Sequence, residues 1–472
     1  MLYEFINNNA QINPTARRRI RSHAATGKNL GKTLVRRSRK DLLGSGPRPF
    51  QVTVPERLLP PPEPHDTRAQ PRQHAATTFD RQIGDGVSIS SLPIDFLGES
   101  RALVHKAITF FCRMHYTPEL SDAFQAHKGP PTMWFQLAFE DEAYFHIVMA
   151  ISITSLNNVM AQGEDPALAL QHQGRTVYLI NSRLSQANPV SNANLAVVVM
   201  IAQYERLRGR FLESLVHLDG LYSMVEMRGG IATLIRDEPS LGQKIARLDL
   251  DLALYIGTKP RFDVASITND STSIPWLSES LITEHERGSC GFSDCPGLSI
   301  QLRSIATQIA CLGRQVNDAH VGLRTALHTR SFHIVLLRLG HRLIHFAPLG
   351  GPRPTSEIDN AVQLGLIAFL MPFMHQLDGT MPHCPLLSHQ IHLAMQRDFA
   401  TAEHTQEVLL WILLVSGASV FSQLEDGWLV SAVSKATKTL DLCTWEELAC
   451  VMDKYPWIDG IHNKPARLLC GF

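Results

Sequence analysis

Histidine is the residue type most able to do chemistry here, with 21 copies in 472 residues. His341 and His345 lie four apart on an expected helix, and His383, Cys384, His389 and His392 fall within ten residues. Two imidazoles on one helical face bind zinc when further ligands arrive from elsewhere. Nothing in the sequence supplies those ligands, and partly exposed structural histidines are the commoner outcome. Cys290 and Cys295, separated by four residues in an expected loop, have no second pair at a fitting distance, so free thiols are expected. Asp249 and Asp251 are the nearest approach to a magnesium-diphosphate motif. Carboxylates two apart on a helix face different ways, which argues against a terpenoid-cyclase-like site. There is no G-x-S-x-G elbow, no G-x-x-x-x-G-K-[ST] loop and no H-E-x-x-H. Hydrolase, kinase and cyclase chemistry therefore lack their usual residues, and no metal or cofactor is expected.

Charge gives a clearer signal. The first fifty residues carry eleven Lys/Arg against two acids, while the other 422 carry 33 against 42. Arg17, Arg18, Arg19 and Arg21 form one cluster and Arg36, Arg37, Arg39 and Lys40 a second, with Lys28 and Lys32 between them. Self-repulsion keeps such an arm solvated, and counterion release rewards contact with phosphate. Two basic clusters about fifteen residues apart also suit a bipartite nuclear import signal, and import receptors are the favoured partner. Contact with DNA through these cations is expected to involve the backbone alone. The arm offers neither a recognition fold nor the aromatic interleaving of single-strand binders.

The elements that position the remaining residues read as helical. After the arm (residues 1–46), eight prolines between Pro47 and Pro71 mark an extended linker over 47–92. From 93 to 472 apolar residues recur at helical spacing, and the expected fold class is all-α. Phe211, Leu215, Leu218, Tyr222 and Val225 form one stripe, and Ile245, Leu248, Leu252 and Tyr255 a second. Further helices are expected around 98–127, 136–161, 166–187, 192–206, 298–317, 324–346, 356–378, 400–422, 427–440 and 444–454. Asp165-Pro166 suits a helix start and Gly229-Gly230 a helix end. Residues 258–297 and 346–356 read as loops within one domain.

Bulk properties narrow the class. A body of nearly four hundred residues can bury a large core without staples. Eight cysteines scattered through it, with no secretory signal, suit a reducing intracellular compartment. The most apolar run, Val408 to Phe421, is too short for a bilayer and is expected to be a buried helix, with no membrane partner.

Several stretches together resemble a known family. The run His217-Leu218-Asp219-Gly220-Leu221, then Met224-Val225, Arg228-Gly229-Gly230 and Leu248-Asp249-Leu250, is similar to the signature of the fungal-specific transcription factor domain. That domain is the helical regulatory region found downstream of binuclear zinc cluster DNA-binding modules. Phe135, Ala138, Phe145-His146, Tyr204-Glu205, Leu410-Trp411-Ile412-Leu413, Thr444-Trp445-Glu446-Glu447 and Trp457-Ile458-Asp459 agree with it, as do Phe5-Ile6-Asn7 and Ile20-Arg21-Ser22-His23 in the arm. The resemblance covers about residues 3–30 and 93–465. The zinc cluster module needs six cysteines near the N-terminus, and none precedes Cys112. Specific DNA binding through that module is therefore not expected of this polypeptide.

The motif residues have structural jobs on physical grounds. Gly220, disfavoured inside a helix, is expected to let another helix approach closely. Arg228 before Gly229 and Gly230 suits a helix C-terminus, where a cation meets the carbonyl dipole. His217 is expected to hydrogen-bond across a helix interface. The resemblance implies a nuclear, non-enzymatic regulator whose body binds another regulator, itself or an effector. The alternatives are a helical enzyme or metal-dependent protein using the histidine-rich second half, and a specific DNA binder acting through the arm alone.

Overall fold

Helix boundaries follow local chemistry. The Ser191 hydroxyl accepts from the Asn194 amide at 3.2 Å, and the Ser356 hydroxyl from the Asp359 amide at 3.3 Å, each opening a helix. Thr444 and Glu447 form a reciprocal capping box, with the Thr444 hydroxyl accepting from the Glu447 amide and the Glu447 carboxylate from the Thr444 amide. Such caps stabilise a helix by about 1 kcal/mol because the first turn has no internal partner for its amides.

The computed structural model describes residues 118–124, 133–159, 166–185, 188–264, 290–293, 295–374, 384–397, 399, 402–421 and 427–472. These contain fifteen α-helices and no strand beyond one isolated bridge between Phe124 and Leu327. The fold is all-α. In chain order the helices are α1 (Met133–Glu140), α2 (Glu142–Val159), α3 (Ala167–Leu184), α4 (Asn192–Leu207), α5 (Phe211–Met227), α6 (Gly230–Asp237), α7 (Pro239–Ile256) and α8 (Ile300–His320). They continue with α9 (Thr329–Phe346), α10 (Glu357–Leu370), α11 (Pro385–Met395), α12 (Glu403–Ser419), α13 (Gly427–Thr439), α14 (Trp445–Met452) and α15 (Asp459–Cys470). All lie within one unit, Arg81–Phe472; the basic arm, the Pro-rich linker and the start of the expected helix at 98–127 lie outside the described residues. The part of that helix that is described, Pro118–Ala123, is a 3-10 turn.

Three helices are buried on nearly every side. In α4 every residue from Asn194 to Arg206 is buried, in α10 every residue from Asp359 to Leu370, and in α12 nearly all from Val408 to Gly417. The apolar run over 408–421 is thus a core helix, and no described helix is long and apolar enough to cross a membrane. Around α4 pack α2, α3, α5 and α7; around α12 pack α10, α13 and α15. Trp411 anchors the second group: its ring is fully buried, its Nε1 donates to the Pro456 carbonyl at 2.8 Å, and Phe292 meets it edge-on.

Helix α7 joins the two groups by packing on α4 and α5 on one side and on α9 and α11 on the other. Its C-terminal Gly257 has φ +83° and touches the loop after α9, where the Gly350 amide donates to the Gly257 carbonyl at 2.9 Å. Within the first group, α4 and α7 are also tied by an ion pair. Arg206 of α4 and Asp251 of α7 lie 3.4 Å apart with both side chains buried, so removing either strands the other charge. The loop over 347–356 is held by Arg353, whose guanidinium donates to Asn360, to Gln363 and to the carbonyls of Ala347 and Pro348.

Candidate interaction surface

The motif residues gather on α4, α5 and the turn into α6. Leu218, Leu221, Met224 and Val225 of α5 point into the core, and the Ser214 hydroxyl donates to the Ala202 carbonyl of α4 at 2.7 Å. Arg228 caps α5 and reaches back to the side chain of Asn192 at the start of α4; Asn192 in turn donates to Glu238 at 2.7 Å. Gly229 and Gly230 both have positive φ, +91° and +87°, so two successive left-handed residues turn the chain from α5 into α6. These residues fix how α5 leaves α4.

Two expectations for this motif need correction. Among the described residues no helix approaches Gly220: a Cβ there would meet nothing within 4 Å, and the residue is exposed. The core side of α5 lies on the opposite face, at Ser214, Leu218, Leu221 and Val225. His217 is half-buried and makes no hydrogen bond across a helix interface among the described residues. Burial lowers its pKa, keeping the imidazole neutral.

The carboxylate pair divides as its spacing predicts. Asp249 accepts from the amides of Arg261 at 2.9 Å and Phe262 at 2.8 Å, clamping the loop after α7, and burial raises its pKa to about 6. Asp251 points to Arg206, and burial again raises its pKa. They share no ligand.

Among the described residues no three metal-ligating side chains converge. His341 is fully buried, one ring nitrogen meets the Ala246 carbonyl at 3.2 Å, and desolvation lowers its pKa to about 4. His345 lies one turn on and shares no ligand set with it. His392 contacts Gln396 and the edge of Trp428, His389 is exposed, and His383 lies outside the described residues. Cys384 is buried and donates to the Leu254 carbonyl. Cys290 and Cys295 are buried free thiols whose pKa values burial raises. One histidine pair among the described residues that spacing did not reveal is His146 of α2 and His172 of α3, with their Nδ1 atoms 2.7 Å apart.

A different feature of α5 stands out. Leu212, Val216 and Met227 are 74%, 68% and 65% exposed. With Gly220 and Ser223 they fall within about 80° of arc on one helix face. The stripe read from the sequence supplied the core side, and these residues fall between its members. Their signal was apolar residues on both sides of one helix. A helix-interior glycine costs about 1 kcal/mol relative to alanine, and among the described residues no close approach offsets that at Gly220. The ten cations of the arm, from Arg17 to Lys40, lie outside the described residues.

The described body is therefore a helical domain whose buried charges Arg206, Asp249 and Asp251 are engaged by its own scaffold, with exposed apolar side chains on several helices, among them Leu212, Val216 and Met227 of α5 and Ile300 of α8. The Fungal specific transcription factor domain matches residues 110–430, more than half of the chain, and the protein belongs to that family. The match spans the motif at 217–230 and ends before α14 and α15. No curated protein and no solved structure matches the chain.

Proposed function

We propose that this protein is a nuclear regulator of transcription that acts by association and has no catalytic centre. The observation that carries the reading is the family match over residues 110–430. Burial chemistry supports it. Asp249 is engaged by main-chain amides, Asp251 by Arg206, Glu407 by Lys454 and Tyr455, His341 by a carbonyl and His462 by the Ile458 amide. Each of these buried side chains has a partner in the scaffold, which is the pattern of a structural rather than a catalytic group. The helical body docks to other regulators, while the basic arm engages an import receptor and, in the nucleus, the DNA backbone.

Deleting residues 17–40 from a tagged full chain is expected to abolish nuclear enrichment; unchanged localisation removes the arm from the mechanism. On chromatin, loss of residues 1–50 should reduce occupancy. Phosphate contact by the arm predicts steep salt dependence with little sequence preference. Discrimination between DNA sequences at physiological salt would instead make the arm a specific reader.

A further inference from the structure

We infer that Lys244 is a carbamylation site: its side-chain amine takes up carbon dioxide, and the carbamate formed is held by the Arg247 guanidinium and the Tyr144 hydroxyl. This goes beyond the regulatory reading and is decided on purified protein, whatever the chain does in the nucleus.

Lys244 lies half-buried on α7. Its Nζ sits 4.7 Å from the centre of the Trp134 ring of α1, and the Tyr144 ring of α2 lies 6.1 Å from the same indole. That aromatic face is the attraction the amine has, since among the described residues no carboxylate forms an ion pair with it. A lysine removed from water is usually paired, because desolvating a lone charge is costly. The charge that does act on Lys244 has its own sign: Arg247, three residues on, occupies the same side of the helix. Desolvation, and then the Arg247 charge, bring the Lys244 pKa down to about 7, so a large share of the molecules carry a neutral, nucleophilic amine at neutral pH.

The second part of the site is a donor without an acceptor. Tyr144 is fully buried and its hydroxyl has no hydrogen-bond partner, a costly state for a polar group inside a core. Burial raises its pKa well above the ordinary phenol value, so the hydroxyl keeps its proton and can only donate to an anion.

Charge balance points the same way. Arg247 also acts on Asp251, which pairs with Arg206 of α4. Among these four groups three are cationic and one is an acid. Turning Lys244 into a carbamate makes them two and two.

The electrophile follows from size and charge. It must reach an amine lying against an indole and leave an anion there. An aldehyde would leave a neutral or cationic imine, whereas carbon dioxide leaves a carboxylate. The neutral amine adds to the carbon of carbon dioxide and forms a C–N bond. One C=O π pair moves onto oxygen, and the proton lost from nitrogen goes to solvent. The step needs no oxidant, leaving group or further reactant.

The test uses the full chain near neutral pH in 13C-bicarbonate equilibrated with dissolved carbon dioxide. A trialkyloxonium reagent traps carbamate as its ester, and peptide mass spectrometry locates the heavy carbon. It should appear at Lys244 in excess over every other lysine, since exposed lysines hold their protons to about pH 10. Tyr144→Phe should lower the trapped fraction roughly fivefold by removing one hydrogen bond, yet leave the fold as stable as wild type or more so, because the lost hydroxyl had no partner. Lys244→Arg keeps a cation over Trp134 and should fold. Dissolved carbon dioxide should raise the thermal midpoint of wild type and not that of Lys244→Arg, because the modified state belongs to the folded chain. Heavy carbon spread over the lysines with no excess at Lys244 overturns the proposal. So does a trapped fraction that Tyr144→Phe leaves unchanged, or an equal thermal response in Lys244→Arg.

Discussion

Gly257→Ala is expected to remove at least about 4 kcal/mol of folding stability, a large part of the 5–15 kcal/mol that an ordinary protein has. Two effects add at this position. With φ at +83°, a Cβ is sterically strained whatever surrounds it. The space is also occupied, since the new carbon would sit 2.6 Å from the Gly350 nitrogen and 2.8 Å from its Cα. Backbone cannot step aside as a flexible side chain can. Moving it also breaks the hydrogen bond from the Gly350 amide to the Gly257 carbonyl, where α7 ties the two helix groups together. Gly174→Ala in α3, where nothing lies within 4 Å, is the control and should be neutral or mildly stabilising. Denaturant unfolding followed by circular dichroism decides the matter. A midpoint for Gly257→Ala equal to that of wild type would show that the contact between the two loops is not a fixed joint.

Acid is expected to weaken the fold well before carboxylates are lost. His341 and His462 are both fully buried, and desolvation lowers their pKa values to about 4 and about 3. In the unfolded chain both take up a proton near pH 6.5, whereas in the folded chain they stay neutral. Their contribution is therefore complete above about pH 6.5 and is lost as pH falls, at about 1.4 kcal/mol per unit for each. Asp249 works the other way. Its folded pKa of about 6 lies above that of an ordinary carboxylate, so the folded state holds its proton first and gains stability as pH drops through that value. Asp251 shifts in the same direction as Asp249, and His172, near 4, in the same direction as the buried histidines. Taking His341, His462 and Asp249 together, the net loss between pH 6.5 and 5.5 is about 1 kcal/mol. Thermal midpoints at those two pH values should differ accordingly, and His341→Leu, although less stable at neutral pH, should show a shallower slope. A flat profile for wild type would mean that these imidazoles are protonated inside the folded protein.

The long amphipathic helices were legible in the sequence because one apolar stripe and one core suffice to define them. The stripe over α5 placed Leu218 and Val225 in the core, with Phe211 and Leu215 packed against it, although Tyr222 is largely exposed. That over α7 placed Ile245, Leu248 and Leu252 there. The short helices were less legible. Helix α11 carries Ser388, His389, Gln390 and His392, polar enough to read as a ligand cluster. Helix α15 has Pro465 inside it and starts at an apolar Ile458, whose amide donates to the His462 ring at 2.9 Å, a cap that no sequence rule anticipates. The expected helix over 356–378 stops at Leu370, because Pro372 forces a 3-10 turn from Met371 to Phe373. The expected start at 324 gives way to Thr329, since Leu327 bridges to Phe124. Gly220 shows the deeper limit. The sequence correctly marked it as a glycine out of place in a helix, but which face of that helix has company is decided by the other fourteen.

Four of the thiols, Cys290, Cys295, Cys311 and Cys384, are sealed inside the folded body, while Cys443 and Cys450 lie at its surface. This division gives the protein an internal clock. A maleimide reagent added to the native chain should modify the outer pair within its first reaction phase and reach the inner four only as molecules open. With reagent in enough excess to outpace reclosing, the slow phase of that labelling in purified protein reports the opening rate.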